Sequence, residues 1–209
     1  MRRSATQDAI ILKTQDVGEA DRFCIVFTRT KGRLALRARG VRKTGSRMGG
    51  TLLPYRRVQL DITETDSGFL ATGVMDSDPV LSSILDHGAA SRMGRGIEVL
   101  LMLTEDLEPL PEVFDLTVAY LRACIAGLGH PVLAYELALL ARLGLLPATD
   151  EDPRFADLSP GARAFVLTAA TAKDSTVLAS SDFPLEEVER FRDQMFAEQL
   201  PRPLKARQL

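Results

Sequence analysis

The 209-residue sequence contains no tryptophan and no long apolar run, and it has only two cysteines and two histidines. Its longest fully apolar stretches, such as residues 99–103, are far too short to span a bilayer. The opening MRRSATQDA carries charge but is followed by no apolar run of signal-peptide length. These absences predict a cytoplasmic protein that has no membrane partner.

The shortage of cysteine and histidine also limits metal and nucleophilic chemistry. Cys24 and Cys124 lie in apolar surroundings, which favours buried free thiols over a disulfide or a functional thiol. His87 and His130 have too few partners for a metal site. Since GxSxG, HExxH and P-loop motifs are missing as well, we expect no enzyme, no catalytic residue, no metal and no cofactor.

Acidic residues are missing from one long stretch, between Arg22 and Leu60, in a chain that holds 28 Asp and Glu. Residues 1–75 hold 14 Lys/Arg against 7 Asp/Glu, whereas residues 76–209 hold 12 against 21. A block of one sign attracts a polyanion, and nucleic acid is the first candidate. The stretch contains eleven basic residues: Arg22, Arg29, Lys31, Arg33, Arg37, Arg39, Arg42, Lys43, Arg47, Arg56 and Arg57.

This basic stretch has two interpretations, a solvated protein face or a nucleic-acid site, and the missing counter-charge favours the second. Arginine predominates, and its guanidinium can make paired hydrogen bonds to phosphate oxygens. Base-stacking groups are few, because Phe23 and Phe27 are predicted to pack the core and only Tyr55 remains beside the basic loop. We therefore predict electrostatic binding that tolerates many sequences, with modest base stacking.

Residues 1–77 read as strands. Residues 9–12 and 23–27 are short apolar runs, Lys31-Gly32 is a turn signal, and residues 33–39 alternate with Leu34, Leu36 and Ala38 on one face. About five short strands predict a small closed barrel. Residues 40–55 are rich in Gly, Ser, Thr, Arg and Lys and predict a long, mobile basic loop.

Residues 78–209 change to a helical period of 3.6 and predict an all-helical domain. Asp78 before Pro79 is a plausible helix start. The next helix contains Gly88, Gly94 and Gly96, which indicate either a break or a close approach to a neighbouring helix. By composition alone, the basic tail of Arg202, Lys205 and Arg207 is a solvated terminus.

Several segments along the chain carry a resemblance to a known family. They are residues 9–13, 18–22 and 27–33, the basic segments 38–43, 46–47 and 53–54, the helical landmarks 143–147 and 158–162, and the closing segment 201–207. Taken together and in this order, they resemble the RecO family of bacterial recombination mediators.

The resemblance implies an N-terminal five-stranded OB-fold β-barrel, a C-terminal helical domain and therefore an α+β fold. It implies binding of single- and double-stranded DNA and annealing of complementary strands in DNA repair and recombination. It also implies help in loading RecA onto DNA coated by single-strand-binding protein, together with RecR. The alternative is an adaptor that gathers proteins and for which DNA contact is secondary.

One feature departs from the family pattern. Many members carry a four-cysteine zinc module after the segment equivalent to Leu143-Gly-Leu-Leu-Pro147, but residues 148–158 here contain no cysteine or histidine. We predict a variant without zinc. The predicted DNA-binding residues are Arg29, Lys31, Arg33, Arg37, Arg39, Arg42, Lys43, Arg47, Arg56 and Arg57, with a secondary contact at Arg202, Lys205 and Arg207.

Overall fold

A computed structural model of the protein describes residues 3–46, 48–82, 86–127, 129–147, 151–171 and 183–199. The chain divides into two compact units. The barrel unit comprises residues 1–85 and 104–118, and the helical unit comprises residues 86–103 and 119–209. The barrel unit thus includes a later piece of chain, and the domain boundary at 77/78 stays a prediction.

Five strands close into a barrel in the order β1-β2-β3-β5-β4. Neighbouring strands are antiparallel except β3 and β5, which are parallel over three residue pairs. This arrangement confirms the predicted five-stranded barrel that precedes a helical region. The strands are β1 (Arg3–Val17), β2 (Asp21–Thr28), β3 (Gly32–Ala38), β4 (Arg57–Thr65) and β5 (Gly68–Asp76).

The barrel interior follows the alternation expected of strands. Leu34, Leu36 and Ala38 of β3 are buried while Ala35 and Arg37 are exposed, which confirms the predicted face assignment. Similar inward side chains from the other strands complete one core. That core contains Ala9, Ile11, Cys24, Val26, Leu34, Leu36, Ala38, Val41, Leu52, Val58, Leu60, Ile62 and Ala71.

Strand β1 is much longer than the apolar run 9–12 from which it was predicted. Its first part pairs with β4 and its second part with β2, and a register shift separates Ile11 from Lys13. Residues 9–12 are the part of β1 that is buried on both faces. The parts of β1 on either side of this run have one exposed face that carries polar side chains. They therefore form no apolar run that would have predicted a strand.

The basic loop between β3 and β4 is long, as predicted, but it is anchored to the barrel. Val41 and Leu52 are buried in the barrel core. The Arg42 N–H donates to the Ala20 carbonyl at 2.9 Å, and the Tyr55 N–H donates to the Ile11 carbonyl at 2.7 Å. The loop therefore presents its basic residues from a packed base.

Residues 104–118 complete the barrel unit. The Leu107 N–H donates to the Arg33 carbonyl at 2.9 Å, so this segment lies along the start of β3. The ring of Phe114 packs against that of Phe27 with centroids 6.1 Å apart. Phe27 is thus buried as predicted, but on the outer face of β2 under this segment.

The first helix begins where the sequence predicted a start. Asp78 accepts the Val80 and Leu81 N–H groups at 3.2 and 3.4 Å, so it caps the first helix as expected. The described helices are α1 (Pro79–Ser82), α2 (His87–Leu103), α3 (Pro111–Ala126), α4 (Pro131–Arg142), α5 (Pro160–Thr171) and α6 (Leu185–Gln199), and Pro153–Phe155 forms a single 3₁₀ turn.

Helix α2 runs without a break through Gly88, Gly94 and Gly96, which settles the alternative left open by the sequence. A Cβ on Gly96 would lie 2.4 Å from Cε1 of Tyr120. The Gly96 N–H donates to the Tyr120 hydroxyl at 3.2 Å, and Tyr120 stacks on Tyr135 at 4.1 Å. Gly96 therefore marks a close approach between helices of the helical unit.

A buried ion triad lies in the core of the helical unit. Glu136 of α4 is fully buried and accepts from Arg95 of α2 at 2.7 Å and from Arg192 of α6. The two arginine side chains are themselves 13% exposed. The triad joins three helices through charge-assisted hydrogen bonds.

The thiol prediction is confirmed, since Cys24 and Cys124 are both buried and free. Burial raises the pKa of each thiol to about 11, which keeps both protonated at neutral pH. Within the described ranges, we find no cluster of His, Cys, Asp and Glu suited to a metal ion. The helices among those residues are also too short or too polar to traverse a bilayer.

Candidate nucleic-acid interface

The predicted DNA-binding residues that the structure describes fall on four parts of the barrel unit. Arg29 and Lys31 lie in the β2–β3 turn, and Arg33 and Arg37 lie on β3. The loop that follows carries Arg39, Arg42, Lys43 and Arg56, and Arg57 begins β4. Arg47, Arg202, Lys205 and Arg207 lie outside the described residues.

The acid-free stretch of sequence is not free of acids in space. Asp16, at the end of β1, accepts from Arg22 at 2.8 Å and lies 3.2 Å from Arg42. Asp21, at the start of β2, pairs with Arg37 at 2.7 Å. Folding therefore brings carboxylates from outside the stretch onto its arginines, and the missing counter-charge is weaker evidence than it is along the sequence.

Arg29 and Arg33 face the segment 104–118. Arg29 pairs with Asp115 and Arg33 pairs with Asp106. The Arg33 side chain is only 18% exposed. These two arginines hold the β2–β3 turn against the segment 104–118, so their side chains stabilise the fold of the barrel unit.

Lys31 occupies the same turn but is held more weakly. Its ammonium lies 3.9 Å from Glu64 and 5.9 Å from the ring centre of Phe69. Both partners of the Lys31–Glu64 pair are about half exposed, where an ion pair contributes little. Lys31 therefore stays available to a stronger anion.

Arg56, which precedes β4, and Arg57, which begins it, both make hydrogen bonds to other segments of the barrel unit. Arg57 donates to both carboxylate oxygens of Asp8, at 2.9 and 2.6 Å, and this hydrogen bonding raises its pKa further. Arg56 donates to the carbonyls of Gly50 at 2.8 Å and Ser82 at 3.4 Å. These contacts fix the loop and the strand start rather than leave the side chains extended.

The remaining cations form one run along the chain, although Arg37 and Arg42 within it pair with Asp21 and Asp16. Arg37, Arg39, Arg42 and Lys43 are exposed and follow one another from β3 into the loop. Among residues whose side chains the structure describes, no carboxylate lies within ion-pair distance of Arg39 or Lys43. We refer to these four residues as the cationic strip.

Asp21 organises the base of the cationic strip. Its carboxylate accepts the Gly40 N–H at 2.8 Å and the Arg37 guanidinium at 2.7 Å. The Gly40 N–H first, and then Arg37, lower the pKa of Asp21 below its ordinary value of 3.8. The carboxylate thus holds both the turn after β3 and the arginine beside it.

The lowered pKa makes the contribution of Asp21 pH-dependent. Because the folded pKa lies below the unfolded one, its stabilisation is complete above about pH 4 and is lost as the pH falls through the folded value. The Asp21→Asn variant should therefore show a shallower decline of Tm below pH 4 than the parent. Thermal unfolding followed by circular dichroism tests this, with Asp66→Asn in the exposed β4–β5 turn as control. Equal declines in the parent and Asp21→Asn would contradict it.

The prediction that Phe23 packs the core is wrong. Phe23 is 39% exposed on the outer face of β2, because Cys24 and Val26 take the inward positions. A run that is apolar at every position conceals which face is inward, and only strand pairing decides it. Tyr55, the aromatic expected beside the loop, is half-buried at φ 70°, and burial raises the pKa of its phenol.

Two family models match the chain. The model described as "Recombination protein O N terminal" matches residues 1–72, and that described as "Recombination protein O C terminal" matches residues 89–174. The chain belongs to the RecO family. The descriptions of both models name a recombination protein, and the similar proteins below are named DNA repair proteins.

The chain is also similar to individual RecO proteins from several bacteria. A DNA repair protein RecO of Myxococcus xanthus is 34% identical over 171 residues, which cover 74% of this chain and 69% of the relative. Namesakes from Anaeromyxobacter sp. strain K and a Nocardioides species are 33% and 34% identical, over 68% and 73% of this chain. The chain spans between 57% and 69% of the length of these three relatives.

Proposed function

We propose that the chain binds DNA through the cationic strip of its barrel and anneals complementary single strands. The carrying observation is that four exposed cations follow one another along β3 and the anchored loop of a RecO-family barrel. Their guanidinium and ammonium groups suit phosphate oxygens, and no base-edge pattern is required. The binding is therefore to the backbone and tolerates many sequences.

The mechanism is charge neutralisation. Two complementary strands repel one another through their phosphates, and cations held on one rigid face lower this repulsion for both. Asp21 and the buried residues Val41 and Leu52 hold that face in place before DNA arrives. Base pairing between the two strands then supplies the specificity.

The cationic strip contains only four of the predicted DNA-binding residues, and we assign other roles to the rest. Arg29 and Arg33 join the β2–β3 turn to the segment 104–118, and the partly buried Arg57 is held by Asp8, so we assign these three to positioning the strands. Arg37 and Arg42 also pair with carboxylates, but both lie in the exposed run that continues into the loop. Lys31, Arg56 and Arg47 are kept as secondary DNA contacts. The tail residues Arg202, Lys205 and Arg207 are proposed as a further contact on the basis of composition.

The salt dependence of binding tests the proposal. If about six side chains meet phosphates, the log–log slope of affinity against salt on single strands is about −4. Replacing both Arg39 and Lys43 by alanine removes two such contacts and should reduce the slope to about −3. Fluorescence anisotropy of a labelled oligonucleotide across a salt series measures both slopes.

The matched control removes two positive charges elsewhere. The Arg122→Ala, Arg190→Ala double variant has the same net charge as the test variant but alters exposed helical positions. Its slope should equal that of the parent. A parent slope near zero, or equal losses in the two double variants, would contradict the placement of the site.

Annealing and partner contacts complete the proposed role. We propose that the chain also acts with RecR to help load RecA onto strands coated by single-strand-binding protein, as its family resemblance implies. Purified chain should accelerate annealing of complementary oligonucleotides without any partner. If it binds these proteins but does not anneal DNA alone, the adaptor alternative is the better description.

A further inference from the structure

We propose that Phe23 is a base-stacking platform that makes the cationic strip prefer single-stranded over double-stranded DNA. This inference rests on the proposed DNA-binding function and adds a ligand preference to it. Phe23 lies at the open end of the outer face of β2 and is 39% exposed. The other end of that face, at Phe27, is covered by Phe114.

Strand register places Phe23 among polar and cationic neighbours. Phe23 is directly opposite Gln15 of β1 on one side and Arg37 of β3 on the other. Residues directly opposite one another in antiparallel strands share a face, with Cβ atoms about 5 Å apart. Arg37 can therefore contact a phosphate while the base of the same strand of DNA reaches the Phe23 ring.

The next row on the same face carries one more cation and a small side chain. Lys13 is opposite Ile25, and Ile25 is opposite Ala35. Lys13 and Ala35 are exposed, and Ala35 is the smallest side chain of the row. We refer to Lys13, Gln15, Phe23, Ala35 and Arg37 as the Phe23 face.

The charge of this face selects its occupant. Lys13 and Arg37 border the ring, and Arg39 follows Arg37 at the next outward position of the chain. A phenyl ring flanked by Lys13 and by Arg37, which also pairs with Asp21, matches an unpaired nucleotide, because such a nucleotide offers a flat base and a negative phosphate. In a duplex both faces of each base are already stacked, so Phe23 would contact single strands only.

Removing the ring should therefore separate the two kinds of DNA. The Phe23→Ala variant is expected to bind single-stranded DNA about 5- to 100-fold more weakly, with duplex affinity changed less than about twofold. Phe23→Leu should behave like Phe23→Ala because it keeps apolar volume without an aromatic face. Phe23→Tyr should bind single strands like the parent.

The absence of tryptophan from the chain allows a direct spectroscopic test. The Phe23→Trp variant places one indole on the Phe23 face, and stacking of a base on it should quench its fluorescence when an unlabelled poly-dT oligonucleotide is added. Met75→Trp is the matched control, since Met75 is 65% exposed on β5, outside this face. Its fluorescence should not respond to the oligonucleotide.

The outcomes separate this inference from the proposed function. If the parent binds no DNA across the salt series, the proposed function fails and takes the inference with it. If the parent binds DNA but Phe23→Ala weakens single strands and duplex equally, or not at all, only the inference is overturned. Equal fluorescence responses from the two tryptophan variants would overturn it in the same way.

Discussion

The Glu136→Ala variant is expected to lower the free energy of unfolding by about 3–5 kcal/mol, because it leaves two buried guanidinium groups without their anion. Glu136 is fully buried between Arg95 and Arg192, and the two arginine side chains are only 13% exposed. Burial acts to lower the pKa of Arg192, but the charges of Glu136 and Asp193 outweigh it and raise that pKa. Removing Glu136 takes away the larger of these two favourable charge interactions.

Urea denaturation followed by circular dichroism measures the effect as a fall in the midpoint at unchanged slope. Glu189→Ala, at an exposed position of the same helical unit, is the matched control and should change stability by less than about 0.5 kcal/mol. A triple replacement of Arg95, Glu136 and Arg192 by apolar residues should recover much of the loss. If the denaturation midpoint of Glu136→Ala equalled that of the control, the prediction would be contradicted. The two guanidinium groups would then be solvated by water.

The Gly32→Ala variant is expected to destabilise the barrel unit by at least about 3 kcal/mol. Gly32 has φ 69°, which an alanine adopts only at a cost of about 1–2 kcal/mol. Its new Cβ would also lie 1.9 Å from the carbonyl oxygen of Glu108. Because that oxygen belongs to the backbone, the segment 104–108 would have to move away from β3.

Gly18→Ala provides the matched control. Gly18 has φ 59°, close to that of Gly32, but no atom lies within 4 Å of its added Cβ. It should therefore show the conformational cost alone, about 1–2 kcal/mol. Thermal and urea unfolding of the two variants separate the clash from the backbone term, and equal losses would mean that the segment 104–108 yields freely.

Local patterns predicted much of this architecture. The alternation in residues 33–39, the turn at Lys31-Gly32 and the cap at Asp78 each depend on neighbours in sequence, and each is confirmed. What failed depends on distant pairing. Nothing local to Phe23 shows that β1 and β3 turn its ring outward.

The candidate site was predictable as a region but not residue by residue. Eleven cations without an intervening acid could be seen in the sequence, whereas the carboxylates that pair with the arginines among them come from Asp8, Asp16, Asp21, Asp106 and Asp115. Two of these acids lie more than seventy residues from the arginines they meet. Sequence distance therefore conceals which cations are already engaged.

The route of the chain has a consequence for dissecting the molecule. The backbone passes between the two units at three places, at residues 85/86, 103/104 and 118/119. A fragment that ends at residue 77 would lack Phe114, Asp106 and Asp115, and would expose Phe27 while leaving Arg29 and Arg33 without partners. A barrel that folds by itself would need residues 104–118 as well as residues 1–85, and residues 86–103 of the helical unit lie between these two pieces. A single recombination crossover therefore cannot exchange either unit intact between two genes.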